Sequence, residues 1–220
     1  MTLLDWNIIL SHISDLSDWL PFFIFISLPK KVREEYNLLG AYLFTLGSLK
    51  TITLILLTIK GTFNTMPFYH LMAIVEATFL FLFITRDFGL KKGSKPLIVS
   101  LLLALNLYNT LSFQGILEFN SNAWAMNTII LIGLGLSSLV LLFNDIENIV
   151  LGKSPRFIIL TGLLLYFSGS LFLYIVSSEV LSKEAKGFFH NAWIIRSIAD
   201  IIKSIILTYG LWIARFSTTT

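Results

Sequence analysis

Five ionisable side chains, Lys50, Glu76, Arg196, Asp200 and Lys203, stand well inside long apolar stretches. A charge at the centre of a bilayer costs about 2.5–3.5 kcal/mol on insertion scales, so five must face one another or water. Arg196, Asp200 and Lys203 are spaced by four and three residues, which puts them on one stripe of a helix, with Trp193 one turn outward. This spacing predicts that Asp200 pairs with Arg196 or Lys203 and that Glu76 faces Lys50 or Arg196. Three cations against two carboxylates leave one positive charge over, which must be neutral, reach an interface or bind an anion. Asn106, Asn109 and Asn127 can extend such a network with amides. Two readings follow: inter-helix clamps, or a polar cavity for a ligand, a lipid headgroup or an ion.

His12, His70 and His190 form a second constellation, because all three map to the same end of their helices. Three imidazoles, with Glu118 or Asp15 nearby, have the donor chemistry of an open zinc site. The chain has neither His-Glu-x-x-His nor a histidine pair at i, i+4, so solvated interfacial histidines are the expectation and a metal site the alternative. No cofactor is expected. Cysteine is absent, which removes disulfides, thiolate nucleophiles and thiolate metal ligands from consideration.

The elements that position these residues are set by composition. Hydrophobic residues make up 55% of the chain, charged residues 13%, and mean hydropathy is +0.81. A soluble domain so poor in charge would expose large apolar patches, so the sequence reads as an integral membrane protein and not as a nucleic-acid binder. The apolar stretches are continuous rather than alternating, which favours helices over a barrel. Seven predicted spans cover about residues 9–29, 37–59, 66–86, 95–113, 122–144, 156–178 and 189–214, an all-α seven-transmembrane-helix bundle in one domain over residues 1–220. Pro29, Pro67, Pro96 and Pro155 fall at span ends, while Pro21 lies inside the first span and predicts a kink there.

Ten Lys and Arg residues flank the ends after odd-numbered spans, among them Lys30, Lys31, Arg33, Arg86 and Arg156; three, Lys60, Lys183 and Lys186, flank the other ends. By the positive-inside rule the N-terminus is outside and the Thr218–Thr220 tail cytoplasmic. No predicted loop is long enough for a soluble domain. Chemistry is therefore expected at membrane depth, at the interface or through a partner.

Gly162 and Gly169 with Ser168 and Ser170 offer a small-residue face for close helix approach. Phe79, Phe81 and Phe83 read as lipid-facing or core filler, and Trp6, Trp19, Trp124, Trp193 and Trp212 as interfacial anchors.

The run from Phe157 to Phe172, the Asn64, Pro67, His70 and Glu76 pattern opening the third span, and the last span from Trp193 through Trp212 together resemble a family of bacterial seven-helix membrane proteins of about this length. Arg196 stands where that family has a histidine after the isoleucines, and Asp200 and Lys203 where it often has amides. The resemblance implies a seven-helix fold in a bacterial inner membrane and carries no activity. The function expected is a receptor-like or accessory protein that binds a small ligand or lipid and acts through a membrane partner or a second copy. A lipid hydrolase using Glu76 and Asp200, and a small-molecule or ion transporter, are the alternatives. A retinal protein is disfavoured, because Asp200 precedes Lys203 by three residues rather than four and the sixth span has neither Trp nor Pro.

Overall fold

A computed structural model describes residues 3–61, 63–91, 93–144, 151–182 and 186–216, with the side chains of residues 3–7, 60, 176–182 and 186–192 outside the described set. The described chain is helical, with no strand: α1 (Leu3–Ser17), α2 (Trp19–Ile26), α3 (Lys30–Glu35), α4 (Asn37–Lys60), α5 (Met66–Ile84), α6 (Ser94–Ser112), α7 (Ser121–Asn144), α8 (Pro155–Ser182) and α9 (Lys186–Ala214). Six helical stretches are long and apolar enough to cross a membrane: Ile8–Ile26, Asn37–Ile59, Met66–Asp87, Ser121–Asn144, Pro155–Ile175 and Trp193–Ala214. By length and composition these stretches are those of a multi-pass membrane protein. The stretch expected as a fourth span is the helix α6 and falls outside these six. Lys95, Asn106 and Asn109 dilute its apolar character.

Local chemistry explains the boundaries. Gly61 ends α4 at φ 64°, a left-handed position that glycine occupies without strain, and its N–H donates to Leu57 O at 2.9 Å. Asn64 opens α5, its Oδ1 accepting from Met66 N at 2.9 Å, and Pro67 follows where a missing N–H is harmless. Ser154 and Pro155 open α8 in the same way, the serine Oγ accepting from Phe157 N.

The first span is interrupted, one turn earlier than the proline suggests. Asp18 is a turn residue between α1 and α2, and Pro21 lies in the first turn of α2. Pro21 has no N–H for the carbonyl four residues back, that of Ser17, so the ladder fails where Asp18 must turn inward.

Glycines set the closest approaches. A Cβ on Gly162 would lie 2.8 Å from Ile206 Cγ2, one on Gly210 would lie 2.7 Å from Ile159 Cγ1, and one on Gly169 would meet Ala199 Cβ at 3.4 Å. The two glycines of α8 therefore pack against α9, whereas Ser168, expected on the same face, is exposed. Phe81, Phe83 and Trp124 are core side chains and Phe79 is partly buried against them. For Trp124 this corrects the expectation of an interfacial anchor: it stacks on Tyr174 with centroids 5.3 Å apart.

At the end of the bundle where α5 stops, Arg86 bonds Glu35 O at 2.6 Å and pairs with Glu35 and Asp87 carboxylates, while Arg156 pairs with Asp87 at 2.7 Å. This belt ties α3, α5 and α8 together at the positively charged end.

Candidate functional site: a buried ion ring beneath a vestibule

α1–α2, α4 and α9 converge on four charged side chains at mid-bundle. Lys50 Nζ lies 2.7 Å from Asp18 Oδ2 and 2.6 Å from Asp200 Oδ2; Lys203 Nζ lies 3.1 Å from Asp18 Oδ1 and 2.6 Å from Asp200 Oδ1. Each carboxylate offers one oxygen to each ammonium, which closes a ring of alternating sign and zero net charge. All four side chains are buried. Ser14 donates to Asp200 Oδ2 at 2.9 Å and Ser204 to Asp18 Oδ1 at 3.3 Å, so one oxygen of each carboxylate has a second donor. A buried ion is tolerated where counterions and hydrogen bonds replace its water. Here every ion has two counterions rather than one.

Asp18 is the member that sequence reasoning missed. It lies inside the first expected span, where its charge lowers the apolar signal, and it supplies the carboxylate absent from the count of three cations against two. The signal was present in Asp18 standing three residues before the only intraspan proline. With Asp18 included, Lys50 and Lys203 are neutralised. Asp200 pairs with Lys203 as expected, and with Lys50 rather than Arg196.

Glu76 is buried and accepts from Tyr42 Oη at 3.2 Å. Lys203 Nζ approaches the same hydroxyl at 3.4 Å, so Tyr42 joins Glu76 to the ring at one remove. This corrects the expectation that Glu76 faces Lys50 or Arg196: neither cation lies within the 4.0 Å reach of an ion pair.

Arg196 also leaves its expected partner. Its Nε donates to Tyr174 Oη at 3.0 Å, and its guanidinium lies over the Trp193 ring at 5.1 Å and near Trp124 at 5.8 Å. Helical side chains lean toward the helix start. The long arginine follows that lean away from Asp200 and into an aromatic cage. Trp193, expected beside the charged stripe, forms one wall of it.

The amides build a separate clamp. Asn106 and Asn127 exchange hydrogen bonds at 3.1 and 3.0 Å, and Asn127 also donates to Ala73 O at 3.3 Å, locking α5, α6 and α7 together. Asn109 donates to Gln114 at 3.3 Å. None of the three touches the ion ring.

The histidines separate. His70 is buried, with Nδ1 2.8 Å from Thr110 Oγ1 and Nε2 3.0 Å from Glu118 O. It ties α5 to α6 and the following loop, which corrects the expectation of a solvated ring. His12 is exposed and lines a cavity. The His190 side chain lies outside the described residues. Among the described residues no three His, Asp or Glu side chains gather as metal ligands.

Above the ring, at the end where α1, α5 and α9 begin, lies a vestibule of two adjoining chambers. The larger, about 300 Å³, is lined by Ser11, His12, Asp15, Tyr69, Trp193 and Arg196 among others. The smaller, about 100 Å³, shares Ser11, His12, Asp15, Tyr69 and Arg196 and reaches Lys50. The ring thus forms part of the vestibule floor through one ammonium. Comparison with known proteins finds no matching family profile, curated sequence or solved structure.

Proposed function

We propose that the chain is a receptor-like or accessory protein that binds a small ligand or a lipid in the vestibule and acts through a membrane partner or a second copy. One observation carries this reading: a cavity of about 300 Å³ at the end where α1, α5 and α9 begin is lined by Arg196 and Asp15, neither of them in an ion pair among the described residues. Polar groups converging on a cavity with aromatic walls are the ordinary anatomy of a small-molecule site. The ion ring is then the rigid floor that fixes α1–α2, α4 and α9 around it.

The proposal includes seven spans, with the N-terminus outside and the C-terminus cytoplasmic. α6 supports this because Lys95, at its start, donates to Arg86 O, while Thr110, at its end, meets His70 near the start of α5. α6 therefore runs the length of α5 in the opposite direction. Its outward face carries Leu97, Leu101, Leu107 and Leu111, all exposed and suited to lipid. Membership of the bacterial seven-helix family that the sequence resembles, and location in a bacterial inner membrane, belong to the same proposal.

Transport is the second reading, favoured by Lys50. It lines the smaller chamber while two of its three N–H groups hold Asp18 and Asp200, so the vestibule leads directly onto the ring. The hydrolase reading finds less support: both Asp200 oxygens hold ammonium groups, and Glu76 accepts from Tyr42.

The test uses the absence of native cysteine. Ser11→Cys places a lone thiol on the vestibule wall and Ala77→Cys a lone thiol in the core. A membrane-impermeant thiol reagent added from outside should label the first and not the second, and mass spectrometry after mild-detergent purification should identify what occupies the vestibule. An unreactive Ser11→Cys would overturn the reading.

A further inference from the structure

Two charges of opposite sign line the vestibule without an ion-pair partner among the described residues. Arg196 is more than nine-tenths buried at 7% exposure, and of its five N–H donors only Nε has a hydrogen-bond acceptor among the described residues. The others belong to a guanidinium that lines both chambers. Asp15 also lines both chambers, is half-buried, and makes no described hydrogen bond or ion pair. The two are farther apart than the 4.0 Å of an ion pair. Lys50 is the third charge at this site, but Asp18 and Asp200 already neutralise it.

From this arrangement we infer that the vestibule takes a small zwitterion: one ammonium group and one carboxylate or phosphate carried on the same molecule. The anionic end meets the free N–H fork of Arg196, whose planar donors match a carboxylate or phosphate in a bidentate contact. The ammonium end meets Asp15, with Tyr69 on the wall of the same chamber as a further attraction for a cation. A simple anion would gain Arg196 but bring like charge against Asp15 and strip its water without return; a simple cation would do the reverse at Arg196. Only a ligand carrying both signs satisfies both walls. The larger chamber, about 300 Å³, has the room of about ten waters at roughly 30 Å³ each. That suits a free amino acid or the ethanolamine phosphate headgroup of a phospholipid, and the two share the same recognition chemistry.

This inference rests on the vestibule being a ligand site, and the experiment separates the two. The full chain, purified in a maltoside detergent, is titrated calorimetrically with leucine and with its singly charged analogues 4-methylpentanoate and isopentylamine. Glycerophosphoethanolamine is titrated against glycerol phosphate in parallel. At least one zwitterion should bind tenfold or more tightly than its singly charged analogues, and Asp15→Asn and Arg196→Gln should each weaken it tenfold or more. Preference for leucine identifies a free metabolite, and preference for glycerophosphoethanolamine a lipid headgroup. Asp15→Asn removes no described contact, so its effect is not one of misfolding, and Arg196→Lys reports the charge without the fork. Singly charged analogues that bind as well, or Asp15→Asn binding like the parent, would overturn the zwitterion while leaving the vestibule a ligand site. Absence of binding by every probe would also overturn it, and the thiol labelling at Ser11→Cys then decides whether the vestibule reading survives.

Discussion

Asp18 Oδ1 lies 3.1 Å from Lys203 Nζ, so the break in the first membrane helix is joined to the middle of the last. The contact spans nearly the whole chain in sequence and closes the ring that Lys50 and Asp200 complete. Its energetic consequence is an asymmetry between removing one charge and removing two of opposite sign.

Asp200→Asn preserves volume but leaves two ammonium groups facing one carboxylate. Breaking a buried ion pair from one side typically costs about 3–5 kcal/mol. Asp200→Asn combined with Lys203→Met leaves Lys50 with Asp18, a neutral pair, and should recover more than half of that loss. Thermal unfolding in detergent across the two singles and the double measures the coupling directly. A double variant as unstable as the sum of its singles would mean that the ring is not an electrostatic unit.

Glu76 should behave differently, because its described partner is a hydroxyl. Glu76→Gln retains an oxygen that accepts from Tyr42, so the expected cost is below about 1 kcal/mol, near that of one net hydrogen bond. Tyr42→Phe strands both Glu76 and one N–H of Lys203 and should cost about 1–3 kcal/mol. Pairing Glu76→Gln with Lys50→Met should give no rescue. Rescue in that double variant would place Glu76 opposite Lys50 after all.

What could be read from the sequence divides along a physical line. Hydropathy reports which stretches are apolar, so six of the seven expected spans coincide with single described helices, the first being split into α1 and α2, and the intramembrane charges stand out against them. Partner choice depends on where side chains lean and on how helices cross, which periodicity does not encode. Arg196 and Asp200 are correctly spaced for contact, yet the arginine stem carries its charge into the Tyr174 and Trp193 rings. Glu76 finds Tyr42 because hydroxyl partners carry no charge to count. Asp18 was hidden for the opposite reason: its charge lowers the apolar signal of the span that positions it.

The histidines provide a contrast between a wall and a clamp. His70 holds Thr110 and Glu118 O from inside the bundle, so His70→Ala should cost about 1–3 kcal/mol through the buried groups it leaves unpaired. His12 is exposed and makes no described hydrogen bond, so His12→Gln should stay within about 0.5 kcal/mol, as surface changes usually do. Thermal stability of the two single variants decides this. Equal effects would contradict the separate placements.

Topology gives the last test, because six and seven crossings assign different sides to the second half of the chain. With α6 crossing, Asn120 lies outside, the segment around Gly152 inside and the C-terminus inside. If α6 did not cross, all three would switch sides, since α7, α8 and α9 would each be inverted. The positive charges decide which is expected. Lys153, Arg156 and Arg215 lie inside in the first arrangement and outside in the second, against a rule that places Lys and Arg on the cytoplasmic side. The closing belt agrees: Arg156 pairs with Asp87 at 2.7 Å, which sets the start of α8 at the same end as the α5 terminus. Reporters fused after Asn120 and after Thr220 should therefore be active in the external and cytoplasmic forms, respectively. An external C-terminus together with a cytoplasmic Asn120 would remove α6 from the membrane and overturn the seven-helix topology.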